Sequence, residues 1–259
     1  AEAVELYAEA EPIFAGLDAL KRRTLEMRAG RAGLVRIAAS APPAMAILPR
    51  ALKAFREAHP DVVVRTLIAS QQAIVEMLRK GEVSLGVAMN DVAQAGVRAE
   101  TVGRAALACL TPAGHRLAGR DRVGFADLEA ETLISYRLDT LPGRLLAAAA
   151  EAESRVYAPA IEIDLSITAL PCVREGLGVA IVDDLLPWEQ FDGVATTPFT
   201  PKIEVPIAIL TCEERPLSAS HERMRERLRA ACRERAIGAS RQPDGGGSQR
   251  SSAPPGAGR

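Results

Sequence analysis

The chain has 259 residues, enough for one large or two modest domains around a substantial buried core. Its 48% apolar and 25% charged content is that of a folded globular protein, and a formal net charge of −1 argues against an overall basic nucleic-acid binder. There is no run of about 18 apolar residues to suggest a membrane span, and the acidic start AEAVELYAEAEP does not read as a signal peptide. Cys109, Cys172, Cys212 and Cys232 stand alone in apolar stretches without a C-x-x-C pair, so free buried thiols and a cytoplasmic setting are expected.

Residues 1–29 read as one helix. Ala3, Leu6, Ala10, Ile13, Leu17, Leu20, Thr24 and Met27 follow the 3-4 alternation of a coiled-coil seam. Leu6, Ile13, Leu17, Leu20 and Met27 are therefore expected to pair two copies of the chain. The alternative is a helix docked on its own domain, and Pro12 predicts a kink or a new start within the segment.

A strand over 33–40 ends at Ser40. After Pro42 and Pro43, the positions Ala44, Ile47, Leu48, Ala51, Leu52, Phe55 and Ala58 form the apolar stripe of one helix lying on a sheet. His59-Pro60 ends it. VVVRTLIAS then reads as a buried strand ending at Ser70, with a helix over 71–80, a stop at Gly81 and the strand SLGVAM. Two strands near 97–102 and 105–111 follow, then a loop with a short helix near 127–130 and the strand TLISY. A helix over 141–153, the strand AIEIDL and a helix over 167–175 closed by Gly176 come next. GVAIVD is a strand, 185–190 a short helix, 194–198 and 205–212 the last strands, and 216–237 an arginine-rich closing helix whose arginine face is expected to be solvated. The Gly/Ser/Pro-rich end is expected to be disordered.

The same strand–helix theme occurs twice. It predicts an α/β fold of two Rossmann-like subdomains joined by a two-strand hinge, like type II periplasmic binding proteins, preceded by a linker helix. The expected boundaries are 1–29 for the linker, 31–111 with 205–238 for subdomain I, 112–204 for subdomain II and 239–259 for the tail. The crossings fall near 111–112 and 201–204, and a ligand is expected in the cleft between the subdomains.

Parallel sheets bind ligands at the carboxyl ends of their strands, where strand order reverses. Ser40 and Ala41 stand at such an end, before a helix whose free amides suit a carboxylate; Ser40 either contacts a ligand or caps that helix. Ser70 and Gln71 repeat the pattern with the same two readings. Ser135, Tyr136, Arg137 and Asp139 follow the first strand of the second subdomain, where Arg137 would meet a carboxylate and Asp139 an amino group, unless they are only a surface loop. Ser166 and Thr168 offer a third donor cluster or cap their own helix.

The stretches 33–40, Leu48-Pro49, Phe55, Pro60, 62–67, Gly81 and 85–88, together with V-R-E-G-L-G-V-A-I-V at 173–182, resemble the effector-binding domain of LysR-type transcriptional regulators over about residues 1–238. Ser84 departs from the aspartate that family often carries. The resemblance implies a small-molecule effector, self-association as a homodimer or homotetramer, and promoter DNA contacted only through a winged helix-turn-helix ahead of the linker. This chain alone is then expected to show no specific duplex binding. The I-S-Y-x-x-D wording at Ser135 resembles the branch that senses amino acids and opines, so the expected effector is anionic or zwitterionic.

An enzyme is the rival class. No histidine has a metal-binding spacing, and no G-x-S-x-G or G-x-x-x-x-G-K occurs. Neither a cofactor nor a metal is expected. A solute-binding protein of a transport system, or a truncated sensor without DNA contact, remain as alternatives.

Overall fold

In the computed structural model the described residues are 33–90 and 94–240, with Phe14 besides and with the side chains of 236–240 excepted. The proposed seam at Leu6, Ile13, Leu17, Leu20 and Met27 and the tail beyond 240 lie outside them.

Ten strands form one mixed sheet system along the path β2-β1-β3-β10-β4-β8-β6-β7, with β9 beside β4 and β5 beside β9. The strands are β1 (Leu34–Ala39), β2 (Val63–Ile68), β3 (Leu85–Ala88), β4 (Val97–Pro112), β5 (Val123–Gly124), β6 (Leu133–Tyr136), β7 (Ile161–Ile163), β8 (Val179–Asp183), β9 (Val194–Thr200) and β10 (Glu204–Cys212). The helices are α1 (Ala41–Ala46), α2 (Leu48–Ala58), α3 (Gln71–Lys80), α4 (Phe125–Leu128), α5 (Leu141–Ala152), α6 (Ala169–Arg174) and α7 (Ala219–Ser240).

In the first lobe β1 pairs in parallel with β2 on one side and β3 on the other. In the second, β6 pairs in parallel with β7 and β8. Each lobe therefore has a reversal of strand order, between β1 and β3 and between β6 and β8. The first lobe buries Val35, Ile37, Phe55, Val87, Met224 and Leu228 on one face of its sheet and Ile74, Leu78 and Ala208 on the other. The second lobe packs Ile134, Leu146, Val173, Ile181, Trp188 and Phe199.

Several local expectations are corrected. The single helix over 44–58 is two, because Pro49 has no N–H to continue the ladder and Ile47 stands at the break. The two strands expected at 97–102 and 105–111 are one, β4, of 16 residues. Its pairing passes from β10 to β8 and β9 at Ala106/Leu107. The helices expected at 167–175 and 185–190 begin or persist only as 3-10 turns, Ser166–Thr168 and Trp188–Gln190. β2 is not buried: it ends the sheet, and Val63, Leu67 and Ile68 are 41%, 45% and 64% exposed. An unbroken apolar run reads alike for a central strand and for an edge.

The arginines of α7 are partly paired instead of free in solvent. Arg229 grips Glu100 of β4 with two bonds of 2.6 Å, and Arg225 meets Glu222 at 2.6 Å.

The lobes meet at a compact set of backbone bonds. Leu107 N donates to Ile203 O at 2.9 Å, and Asp184 N donates to Ala106 O at 2.9 Å. The Asp184 carboxylate accepts the Ala106 N–H in return at 3.0 Å, while Arg235 of α7 caps the Asp184 carbonyl. Burial pushes the Asp184 carboxyl up to about 6, against the pull of Arg235 and the Ala106 amide, with Asp183 and Glu189 adding to the rise. A raised carboxyl leaves the native state holding more protons than the unfolded chain, so its contribution to stability is present below about pH 4 and is lost as pH rises through about 6. Asp184→Asn keeps an acceptor for Ala106 and should remove this slope, gaining up to about 3 kcal/mol relative to wild type at pH 7 over pH 4. Urea denaturation of both proteins across that range checks it; parallel curves would contradict the assignment.

Candidate functional site

The carboxyl ends of β1 and β3 and those of β6 and β8 mark the two switch points, and α1 of the first lobe packs against the Ser166–Thr168 turn of the second. Ser40 lies at the first. Its N–H donates to Val87 O of β3 at 2.9 Å, which ties it to the gap between the two strands. It occupies the N-cap position of α1, yet its side chain makes no capping bond. Its Oγ is buried and has no hydrogen-bond partner.

The free amides expected at the start of α1 are largely absent. Pro42 and Pro43 have no N–H, and the Ala44 N–H is held by Ser40 O at 3.0 Å. Ala41, buried, is left with the first amide of the helix. A ligand at Ser40 is therefore met by a hydroxyl more than by a helix terminus.

Ser70 stands differently. Exposed, it accepts the Ala73 N–H at 3.3 Å and caps α3, with half-buried Gln71 as the first helical residue. Ser135 is wholly buried within the second sheet, where Oγ donates to Ile181 O at 3.4 Å. Arg137 and Asp139 are committed to each other by two bonds, one of 3.1 Å, and Arg137 also reaches Asp164 at 3.4 Å. Both are exposed, and the turn they occupy is pinned by Thr140, whose Oγ1 donates to Arg137 O at 2.7 Å and accepts Gly143 N–H at 3.1 Å. Thr168, also exposed, spends its hydroxyl on Leu165 O at 2.6 Å.

Tyr136 and Ser166 lie together at the second switch point. They frame a residue that sequence reasoning passed over, Asp183, wholly buried at the end of β8. The Tyr136 hydroxyl donates to Asp183 Oδ2 at 2.9 Å and accepts the Asp183 N–H at 3.0 Å. Leu185 N–H donates to Asp183 Oδ1 at 3.1 Å, and the Trp188 indole N–H holds the Asp183 carbonyl at 2.6 Å. Tyr157 closes the cluster by donating to Tyr136 O at 2.6 Å. Ser166, 1% exposed, stands beside Tyr136 and Asp183, but its Oγ makes no well-formed hydrogen bond with either. Burial raises the Asp183 carboxyl, with the surrounding donors opposing the rise, and raises the Tyr136 phenol well above its ordinary value. A buried acid with no cation beside it favours its neutral form.

Ser40 of the first lobe and Ser166 of the second thus each carry a buried hydroxyl without a well-formed bond, and α1, which follows Ser40, packs against the turn that holds Ser166. The arrangement suits binding a small polar molecule by hydrogen bonds. Among the described residues, no group of three His, Cys, Asp or Glu side chains is placed to hold a metal ion, and no helix is long and apolar enough to cross a membrane.

Comparison with known proteins agrees with this architecture. The LysR substrate binding domain family matches residues 28–233. The octopine catabolism/uptake operon regulatory protein OccR of Rhizobium meliloti is 32% identical over 199 residues, covering 77% of this chain and 66% of that protein. The regulatory protein NocR of Agrobacterium tumefaciens is 28% identical over 182 residues, covering 70% of this chain and 61% of that one. The chain thus spans somewhat less than two thirds of the length of these relatives. Among solved structures, the BenM effector binding domain with its effector benzoate superposes with a TM-score of 0.67 at 18% identity, covering 82% of this chain and 96% of that one. The cofactor-binding domain of the Cbl transcriptional regulator gives 0.70 at 20%, covering 80% and 92%. The fold is that of LysR effector-binding domains, of the type II periplasmic-binding-protein kind, and the chain belongs to the LysR family through its substrate binding domain.

Proposed function

We propose that this chain is the effector-sensing and self-associating part of a cytoplasmic LysR-type transcription regulator, with the effector seated between the lobes at Ser40 and Ser166. The lobes then divide near Ala106–Leu107 on the outward strand and near Ile203 on the return. The observation that carries the reading is the pair of buried, unpartnered hydroxyls at or beside the two switch points. An orphan buried hydroxyl costs about 1–3 kcal/mol, and a ligand that bonds both relieves that cost only when the lobes are held at one spacing. Differential affinity of this kind shifts a hinge equilibrium. The relation to OccR, named for control of an octopine catabolism/uptake operon, supports an opine-like, zwitterionic effector. Promoter DNA would be contacted through a separate module, since a chain of net charge −1 offers no general attraction for phosphates.

Three substitutions distinguish ligand contact from capping. Ser70→Ala removes a bonded cap and should cost about 1 kcal/mol of stability with effector affinity unchanged. Ser40→Ala and Ser166→Ala remove hydroxyls that make no well-formed bond in the protein, so they should leave stability nearly unchanged. Each should lower the affinity of an effector found by thermal-shift screening of amino acids, opines and dicarboxylates by about tenfold or more. Calorimetry checks this, and destabilisation by Ser40→Ala without loss of affinity would return Ser40 to a structural role.

The exposed β2 edge supports self-association. Val63, Leu67 and Ile68 present apolar side chains along an open row of backbone donors and acceptors, a surface that favours pairing with a second copy. Ile68→Lys should shift the chain toward monomer in sedimentation velocity without altering thermal stability.

A further inference from the structure

We propose that Asp183 is the residue that selects the effector, by accepting a hydrogen bond from a cationic nitrogen, guanidinium or ammonium, at the floor of the cleft beside Ser166. The inference rests on the cleft being the effector site and adds the chemistry of the group that enters it.

Position comes first. Asp183 ends β8, Tyr136 ends β6, and these are the two parallel strands between which the order of the second lobe reverses. Asp183 thus holds in the second lobe the kind of place that Ser40 holds in the first. Capacity comes next. Once a cation ionises it, a carboxyl group accepts about four hydrogen bonds; Asp183 takes one from the Tyr136 hydroxyl and one from the Leu185 amide. Both donors are neutral, and among the described residues no ion pair with lysine or arginine is formed by this carboxyl group. The neighbouring Asp184 is engaged with Ala106 and Arg235. The Ser166 hydroxyl, 1% exposed and without a well-formed bond, lies within reach of this acid, and a ligand atom joining the two would complete the set.

The charged groups of the turn after β6 are already paired. Arg137 and Asp139 neutralise each other outside the floor, so neither an exposed arginine for a carboxylate nor an exposed aspartate for an amine remains. The two prolines of α1 remove the amides that would have drawn an anion to the first lobe. What remains at the buried centre of the cleft is an acid without a cation. A ligand that brings the cation converts a costly buried acid into a bonded ion pair, whereas an isosteric ligand without the charge does not.

The test compares charged probes with neutral isosteres on the intact chain: L-arginine against L-citrulline for a guanidinium, and L-ornithine against L-norvaline for an ammonium. Titration calorimetry of the wild-type protein should show at least one cationic member binding about tenfold or more tighter than its neutral partner, and which pair discriminates tells guanidinium from ammonium. Asp183→Asn keeps the size of the side chain and one acceptor, for the Leu185 N–H, and replaces the oxygen that Tyr136 bonds by an NH2 group; it should abolish that discrimination while sparing the neutral probe. Should this variant fail to fold, the wild-type comparison decides alone. Equal binding of charged and neutral members, or no binding by either cation at millimolar concentration, overturns the proposal. If an anionic metabolite then binds in a manner that depends on Ser40 and Ser166, the cleft reading stands and only the role of Asp183 falls. If no metabolite binds with that dependence, both fall.

Discussion

The 16 residues of β4 are the constraint on which the rest of this structure depends. One unbroken backbone serves as an inner strand of the first lobe up to Ala106 and of the second from Leu107. Because a strand is stiff along its length, the two switch points are held in a fixed relation except where pairing changes partner. There the return strand is tied by the Leu107–Ile203 bond, and β8 is tied by the two-way contact between Asp184 and Ala106. Movement of the lobes must pass through these few bonds. The residues that grip them are Asp184, next after β8, and Arg235 of α7, so this junction is continuous with Asp183 and with the long α7 helix.

The two faces of the cleft differ in chemistry although their strand order is alike. At the first switch point Pro42 and Pro43 leave a start of helix with few donors, and Ser40 supplies the polar atom. At the second, Tyr136, Tyr157 and Trp188 build a rigid frame of hydrogen bonds around one carboxyl group. Aromatic residues are only 3% of the chain, and three of them are spent here. Their rings belong to the packed core while their polar ends point to the strand termini, which is how an amphipathic aromatic fixes a polar group at the edge of an apolar interior.

Much of the fold was legible because it is written locally. The alternation of strands with apolar-striped helices gave the two-lobed α/β class, and Gly81 ends α3 in the left-handed conformation that glycine adopts without penalty. The place of Ser40 was also local, since a strand end followed by a helix start can be read from ten residues. The exposure of β2 was not, because whether an apolar strand is central or terminal depends on which strands flank it. Nor was the pairing of Arg137 with Asp139 and Asp164, where a motif with the right residue types was already satisfied within itself. The loss of two amides at the start of α1 is written in Pro42 and Pro43 and follows from elementary chemistry.

Asp183 shows the harder limit. In sequence, Asp183 only closes the strand GVAIVD and nothing marks it as buried; in the fold Asp184 alone of the pair retains partial exposure. What buries Asp183 is Tyr136, 47 residues earlier in the chain, together with Ser166 and Trp188 from two further segments. No local pattern contains that information, since it arises when parallel strands β6 and β8 become neighbours across a crossover. The same logic explains why such a group bears on function. A polar group enclosed by distant segments lowers the stability of the fold unless its bonds are completed, and Asp183, Ser166 and Ser40 are each left with unused capacity at or beside a switch point. Completing one of them inside its own lobe would stabilise that lobe alone. Completing those of both lobes with one molecule stabilises a single relative placement of the lobes, and that coupling between bonding and spacing is what a sensor requires.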